Sequence, residues 1–170
     1  IIAVPIIIVA AIILYLESGE PFIYPERIGK NERIIRLLKL RTMLFNDNGD
    51  PELQKRNRVT AFGHILRKSR IDELPQLWNV LKGALSLVGP RPERPEFHAK
   101  LTESIPFYNE RYLIKPGLMG WAQLKYRYGA SVQDSLEKLQ YDLYYLKNRS
   151  LILDLAIILK TLKTLFVSSQ

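Results

Sequence analysis

The sequence has no cysteine, and only two histidines and two methionines among its 170 residues. Without cysteine there is neither a disulfide nor a thiolate-bound metal. His64 and His98 stand far apart, with no second histidine beside either, so a transition-metal centre is not expected. Any metal should be a hard cation held by carboxylates and phosphates. Acidic residues are also in short supply, 17 against 25 lysines and arginines, which leaves a formal charge of +8. That excess calls for an anionic partner: nucleic acid, anionic lipid or a phosphorylated small substrate. No internal repeat, low-complexity tract or second-domain linker is evident. One folded domain is the prior for this length.

What the chain does contain begins with an uncharged run over residues 1–16, aliphatic apart from Pro5 and Tyr15. As a helix it would extend about 24 Å, slightly short of the roughly 20 residues that cross a bilayer. Pro5 removes a backbone donor and is expected to bend or break it, so a segment that dips into the membrane and returns is favoured over a full span. A buried core helix is the alternative. A cleaved signal peptide fits poorly, because no basic n-region is present and no small-x-small site precedes Glu17.

Further along, Gly29-Lys30-Asn31 reads as a turn whose flanks could pair as a short hairpin, although Ile34, Ile35, Leu37 and Leu38 also fit a helical stripe. Ala61–Lys68 reads as a helix. A second helix is expected to start near Asp72, with that residue as N-cap and Pro75 in the first turn. Its apolar face would be Leu74, Leu77, Trp78 and Leu81, and Gly83 would end it. Val88-Gly89-Pro90-Arg91-Pro92 should form a stiff turn that presents Arg91 on a fixed backbone. A last helical pattern runs from about Val132 to Val167, broken near Asn148-Arg149-Ser150. Its end, from Leu151, mixes apolar residues with Lys160 and Lys163, as in a helix lying on a membrane surface; a core or oligomer helix would also fit.

Chemistry concentrates where Asp72-Glu73 follow Arg67, Lys68 and Arg70. An Asp-Glu pair at a helix start is most often a cap with a residue that offsets the helix dipole. Here arginines that grip phosphate bidentately lie just before the pair, and a rigid Pro-Arg-Pro lies beyond it. A carboxylate among cations can attack phosphorus or hold Mg²⁺. The residues themselves support phosphate chemistry or phosphate binding. Lys39 and Arg41 are further candidates for a phosphate site, against the alternative of a solvated surface.

The stretch Arg70-Ile71-Asp72-Glu73-Leu74-Pro75-Gln76-Leu77-Trp78-Asn79-Val80-Leu81-Lys82-Gly83, running into Ser86-Leu87-Val88-Gly89-Pro90-Arg91-Pro92, resembles the signature of the bacterial sugar transferases. These are the monotopic phosphoglycosyl transferases, or polyprenyl glycosylphosphotransferases. Arg27-Ile28-Gly29 and Lys39-Leu40-Arg41-Thr42-Met43 resemble the family's N-terminal block. Lys115-Pro116-Gly117 through Gly120-Trp121-Ala122-Gln123 and Tyr141–Asn148 resemble its later blocks. The stretch from Pro92–Phe97 through to Tyr128–Ser131 looks most like members serving exopolysaccharide assembly.

The resemblance implies a fold that is α+β and mostly helical, with an N-terminal re-entrant membrane helix over 1–16, a small β-hairpin and amphipathic interfacial helices. Residues 1–170 would form a single catalytic domain, with 17–170 in the cytoplasm or at the interface on the inner membrane's cytoplasmic face. It implies transfer of a sugar 1-phosphate from a nucleotide sugar, with UDP expected, to polyprenyl (undecaprenyl) phosphate, releasing UMP. Asp72 would be the nucleophile and form an aspartyl phosphosugar, with Glu73 beside it and Mg²⁺ held by the two. Arg67, Lys39 and Arg41 would contact phosphates, and Pro90, Arg91 and Arg127 the nucleotide end. Val4 stands where relatives place serine before the helix proline. Partners would be the nucleotide sugar, the polyprenyl phosphate and inner-membrane lipid, with a homo-oligomer left open. Two other readings are an inactive scaffold, which the presence of both carboxylates disfavours, and a nucleic-acid module, for which no reader motif is found.

Overall fold

A computed structural model describes residues 3–45, 51–126, 129 and 131–167. The described elements begin with α1 (Ala3–Ser18), β1 (Phe22–Ile23), β2 (Glu26–Ile28), β3 (Ile34–Arg36), β4 (Lys39–Leu40), α2 (Pro51–Arg56) and α3 (Ala61–Lys68). A 3-10 helix over Ile71–Gln76 leads into α4 (Leu77–Leu81) and β5 (Ser86–Val88). Then come α5 (Pro95–Ser104), a second 3-10 helix (Tyr108–Leu113), β6 (Gly117–Met119), α6 (Trp121–Lys125), α7 (Val132–Lys147) and α8 (Leu151–Val167). The fold is α+β and mostly helical with small sheets. Among the described residues no helix is long and apolar enough to cross a membrane. Contacts divide the chain into two compact units, Ile1–Pro25 with Leu37–Trp78, and Glu26–Arg36 with Asn79–Ser168.

In the first unit α1 is continuous through Pro5, which does not break it as the sequence reading expected. The proline lies in the first turn of the described helix, where a missing N–H costs little. Ala10 and Leu14 of α1 are buried with Leu40 and Leu66, and Ala11, Phe22, Phe62 and Ile71 pack against them. Much of the rest of the helix, including Val9, Ile12, Tyr15 and Leu16, is exposed, so α1 is apolar on its covered and uncovered sides alike. β1 and β4 pair antiparallel, with Phe22 opposite Leu40 and Ile23 opposite Lys39.

Helix α3 starts where Thr60 accepts the Gly63 amide on its hydroxyl. Gly63 is there for space, because a Cβ would run into the Thr42 carbonyl group. Gly63→Ala would raise helix propensity at an exposed site, yet here it is expected to destabilise by about 1–3 kcal/mol, as overpacking does. Chemical denaturation checks the sign.

In the second unit the hairpin reading of residues 26–36 is the one adopted. Glu26 pairs with Arg36, Arg27 with Ile35 and Ile28 with Ile34, around a turn that has Asn31 and Glu32 at φ 54° and 61°. The turn's left-handed residues stop any helix from running through, which is why the apolar spacing did not prevail. β5 and β6 pair in parallel, Ser86 opposite Gly117 and Val88 opposite Met119. A Cβ on Gly117 would strike the Gly89 backbone, so this glycine permits the close approach. Ile28, Leu101, Ile105, Tyr108, Tyr112 and Leu139 form one core cluster, and Val88, Tyr145 and Ile157 another. A Ser131–Asp134 capping box opens α7. The expected break at 148–150 separates α7 from α8, where the Ser150 hydroxyl accepts the Leu153 amide.

Candidate active site

The Asp72 segment is not the capped α-helix expected from sequence. Arg70, not Asp72, stands at the N-cap position, in the left-handed conformation (φ 57°, ψ 16°), and Asp72 is inside a 3-10 helix. A left-handed non-glycine residue costs on the order of 1 kcal/mol or more and persists where the surroundings hold it. The expected apolar face is likewise corrected. Trp78 is 53% and Leu81 80% exposed, whereas Asp72, Gln76 and Asn79 are buried. The switch from α to 3-10 geometry changes which positions face inward, and so brings polar groups into the interior.

Asp72 and Glu73 converge on one cation within the first unit. Lys39, on β4, places its Nζ 3.6 Å from Asp72 Oδ2 and 3.0 Å from Glu73 Oε1. Arg70 Nη1 lies 3.8 Å from the other Glu73 oxygen. Asp72 Oδ1 is buried and has no hydrogen-bond partner. Leaving such an oxygen unmatched costs free energy, which makes Asp72 a candidate for a ligand or a reaction. Burial pushes the Asp72 carboxyl above its ordinary value; Lys39 opposes this, Glu73 adds to it, and Arg67 and Arg70 oppose it more weakly. The sequence reading weighed the cations and not the burial.

The other candidates are distributed as follows. Arg67 donates from Nε to the Thr42 hydroxyl at 2.7 Å. Arg41 is buried; its guanidinium pairs with Glu20 at 2.9 Å and donates to the Ser18 carbonyl at the end of α1. In the second unit the Pro90 carbonyl accepts the Gly117 amide, which pins the Pro-Arg-Pro turn. Arg91 is exposed there. Burial and repulsion from Arg94 and Arg91 lower the Arg27 guanidinium, so three guanidiniums gather near this turn. Arg127 lies outside the described residues.

Sequence reasoning missed Arg111 and Asp142. Arg111 Nη2 lies 2.8 Å from Asp142 Oδ2 on α7 and donates to the Arg91 carbonyl at 2.8 Å. This buried pair therefore holds the backbone that carries Arg91. Nothing in the local pattern marks it, because the partners come from distant parts of the sequence.

The donor set suits Mg²⁺. Among the described residues no cluster of three or more acidic or histidine side chains exists, so a cation would draw on two carboxylates at most. Mg²⁺ commonly binds in this way, through one or two carboxylates with water and substrate phosphate completing its shell. The unmatched Asp72 Oδ1 would be one oxygen available to it.

Comparisons with known proteins identify the family. A model of the family described as bacterial sugar transferase matches residues 1–168. The UDP-N-acetylgalactosamine-undecaprenyl-phosphate N-acetylgalactosaminephosphotransferase of Aeromonas hydrophila is 43% identical over 165 residues, 95% of this chain and 39% of that protein. The UDP-glucose:undecaprenyl-phosphate glucose-1-phosphate transferase of Xanthomonas campestris is 35% identical over 92% of this chain and 34% of its own length. A protein of the same name from Caulobacter vibrioides is 38% identical, over 98% of this chain and 64% of its own. The chain thus spans between about a third and two thirds of the length of these curated relatives. With a family match along nearly all of its length and relatives up to 43% identical, this chain belongs to the bacterial sugar transferase family.

Proposed function

We propose that the chain transfers a sugar 1-phosphate from a UDP-sugar to undecaprenyl phosphate and releases UMP, through a phosphosugar on Asp72. The observation that carries this is Asp72 itself, a buried carboxylate with one oxygen unmatched, beside Glu73 and Lys39. The names of the relatives supply the substrate classes. An Asp72 oxygen attacks the sugar-side phosphorus, the bond from that phosphorus to the bridging oxygen breaks, and UMP leaves with the oxygen. A phosphate oxygen of the lipid then attacks the same phosphorus, displacing the carboxylate and restoring Asp72. Lys39 holds both carboxylates in place and offsets their mutual repulsion. Arg67 flanks the site, and Arg91 serves the nucleotide end. Asp72 and Glu73 would hold Mg²⁺, which would supply charge neutralisation of the diphosphate.

The reaction takes place on the cytoplasmic face of the bacterial inner membrane, with α1 as a re-entrant anchor. Its apolar surface on both sides supports that role. The test is a panel of nucleotide sugars assayed for nucleoside monophosphate release with undecaprenyl phosphate present. One UDP-sugar is expected to turn over, and excess EDTA is expected to reduce the rate to background. Full turnover in EDTA would show that the cationic side chains suffice; no release with any sugar would sink the proposal.

A further inference from the structure

Trp121 opens α6 in the second unit, and two lysines gather on its indole. Lys125, one turn along the same helix, has its Nζ 4.8 Å from the ring centroid, and Lys160 of α8 has its own 5.3 Å away. Tyr144 of α7 stacks on the same indole, with centroids 6.2 Å apart and planes at 24°. A single lysine over an indole is an ordinary surface contact. Two ammoniums around one ring stand within about a Debye length of each other, so their repulsion is only partly screened. Among the described residues neither has a carboxylate partner. The pair concentrates positive charge that a bound anion would offset.

α8 indicates the kind of anion. Leu151, Ile152, Leu155, Leu159 and Leu162 are between 44% and 81% exposed and recur at helical spacing on one face. Ile157 is wholly buried on another face, and Lys160 and Lys163 are exposed. An exposed apolar stripe accompanied by lysines and a tryptophan matches what an interfacial helix presents to a bilayer. A soluble phosphate would account for the lysines but would leave the stripe bare. A phospholipid accounts for both, through its phosphate and its acyl chains.

We propose that Trp121, Lys125 and Lys160 bind the phosphate of an anionic phospholipid, with the stripe of α8 lying against the acyl region. The ammoniums donate to the phosphate oxygens. The indole N–H, which donates to no described group, is a further donor available to the headgroup. This rests on the reading that the chain works at a membrane, and the experiment separates the two.

A Trp78→Phe protein leaves Trp121 as the sole tryptophan. It is reconstituted in nanodiscs of phosphatidylcholine, alone or with increasing phosphatidylglycerol, and Trp121 emission is recorded. The expected result is a saturable change that needs phosphatidylglycerol and weakens in high salt. Lys125→Gln or Lys160→Gln should each cost about fivefold in the apparent affinity for phosphatidylglycerol, and the double variant should abolish the response. Equal emission with and without phosphatidylglycerol overturns the site, as does an unaltered response in the double variant. A response to UMP in phosphatidylcholine alone would assign the lysines to the nucleotide and also overturn it. In each of those cases incorporation into the nanodisc leaves the membrane reading standing; protein that stays outside the discs sinks that reading as well.

Discussion

Mixed with nucleotide sugar and Mg²⁺ but no lipid, the protein is expected to release up to one equivalent of nucleoside monophosphate and to gain the mass of a sugar phosphate on Asp72. Asp72→Asn is expected to do neither and to lose turnover by a factor on the order of 10⁴ or more, as loss of a nucleophile does elsewhere. The carboxamide keeps the shape of the side chain but offers phosphorus no anionic oxygen. The fold should survive, because Asp72 Oδ1 makes no hydrogen bond that the substitution would break and Glu73 remains to pair with Lys39. Glu73→Gln should retain part of the substrate binding, since Asp72 still faces the same ammonium. Intact-protein mass spectrometry reads the adduct, and steady-state kinetics with both substrates should give parallel double-reciprocal lines. Monophosphate release that strictly requires the lipid, with intersecting lines, would instead assign the attack to the lipid phosphate and leave Asp72 as a ligand.

The largest effect on stability is expected from the buried pair in the second unit. Asp142→Ala would leave Arg111, whose side chain is only 7% exposed, with only Glu93 at 3.9 Å to offset its charge. Breaking a buried ion pair from one side costs about 3–5 kcal/mol. For a chain of this size that lowers Tm by roughly 10 °C. Tyr108 and Glu93, which lie near the same guanidinium, compensate little: Tyr108 is neutral and Glu93 is 3.9 Å away. Replacing both members, as Arg111→Met with Asp142→Leu, should recover much of the loss because no charge is then buried alone. The double replacement should still impair the reaction, since the Arg91 carbonyl loses the donor that holds it. Thermal denaturation and nucleotide-sugar KM, measured on the same proteins, distinguish the two consequences. An Asp142→Ala protein as stable as the parent would show that water reaches Arg111.

Sequence alone set α3, α7 and α8 close to their observed limits, because a 3.6-residue period and local caps such as Thr60 and Ser131 act within a few residues. It also offered the 26–36 hairpin through its turn residues, as one of two readings. The Asp-Glu pair and the Pro-Arg-Pro turn were legible as motifs for a related reason: their chemistry is written in adjacent letters. The geometry around them was not. Arg70 adopts a left-handed conformation that its residue type does not announce, and the resulting 3-10 helix buries Asp72 and Gln76 while exposing Trp78. Lys39 meets the two carboxylates where β4, paired with β1, packs against the Ile71–Gln76 segment, and Arg41 turns instead to Glu20 and the end of α1. The β5–β6 pairing and the Arg111–Asp142 contact join segments far apart in the chain. Which elements form was therefore largely settled by short-range periodicity and caps. Which cation meets which carboxylate was settled by strand pairing and burial, whose partners no local pattern names.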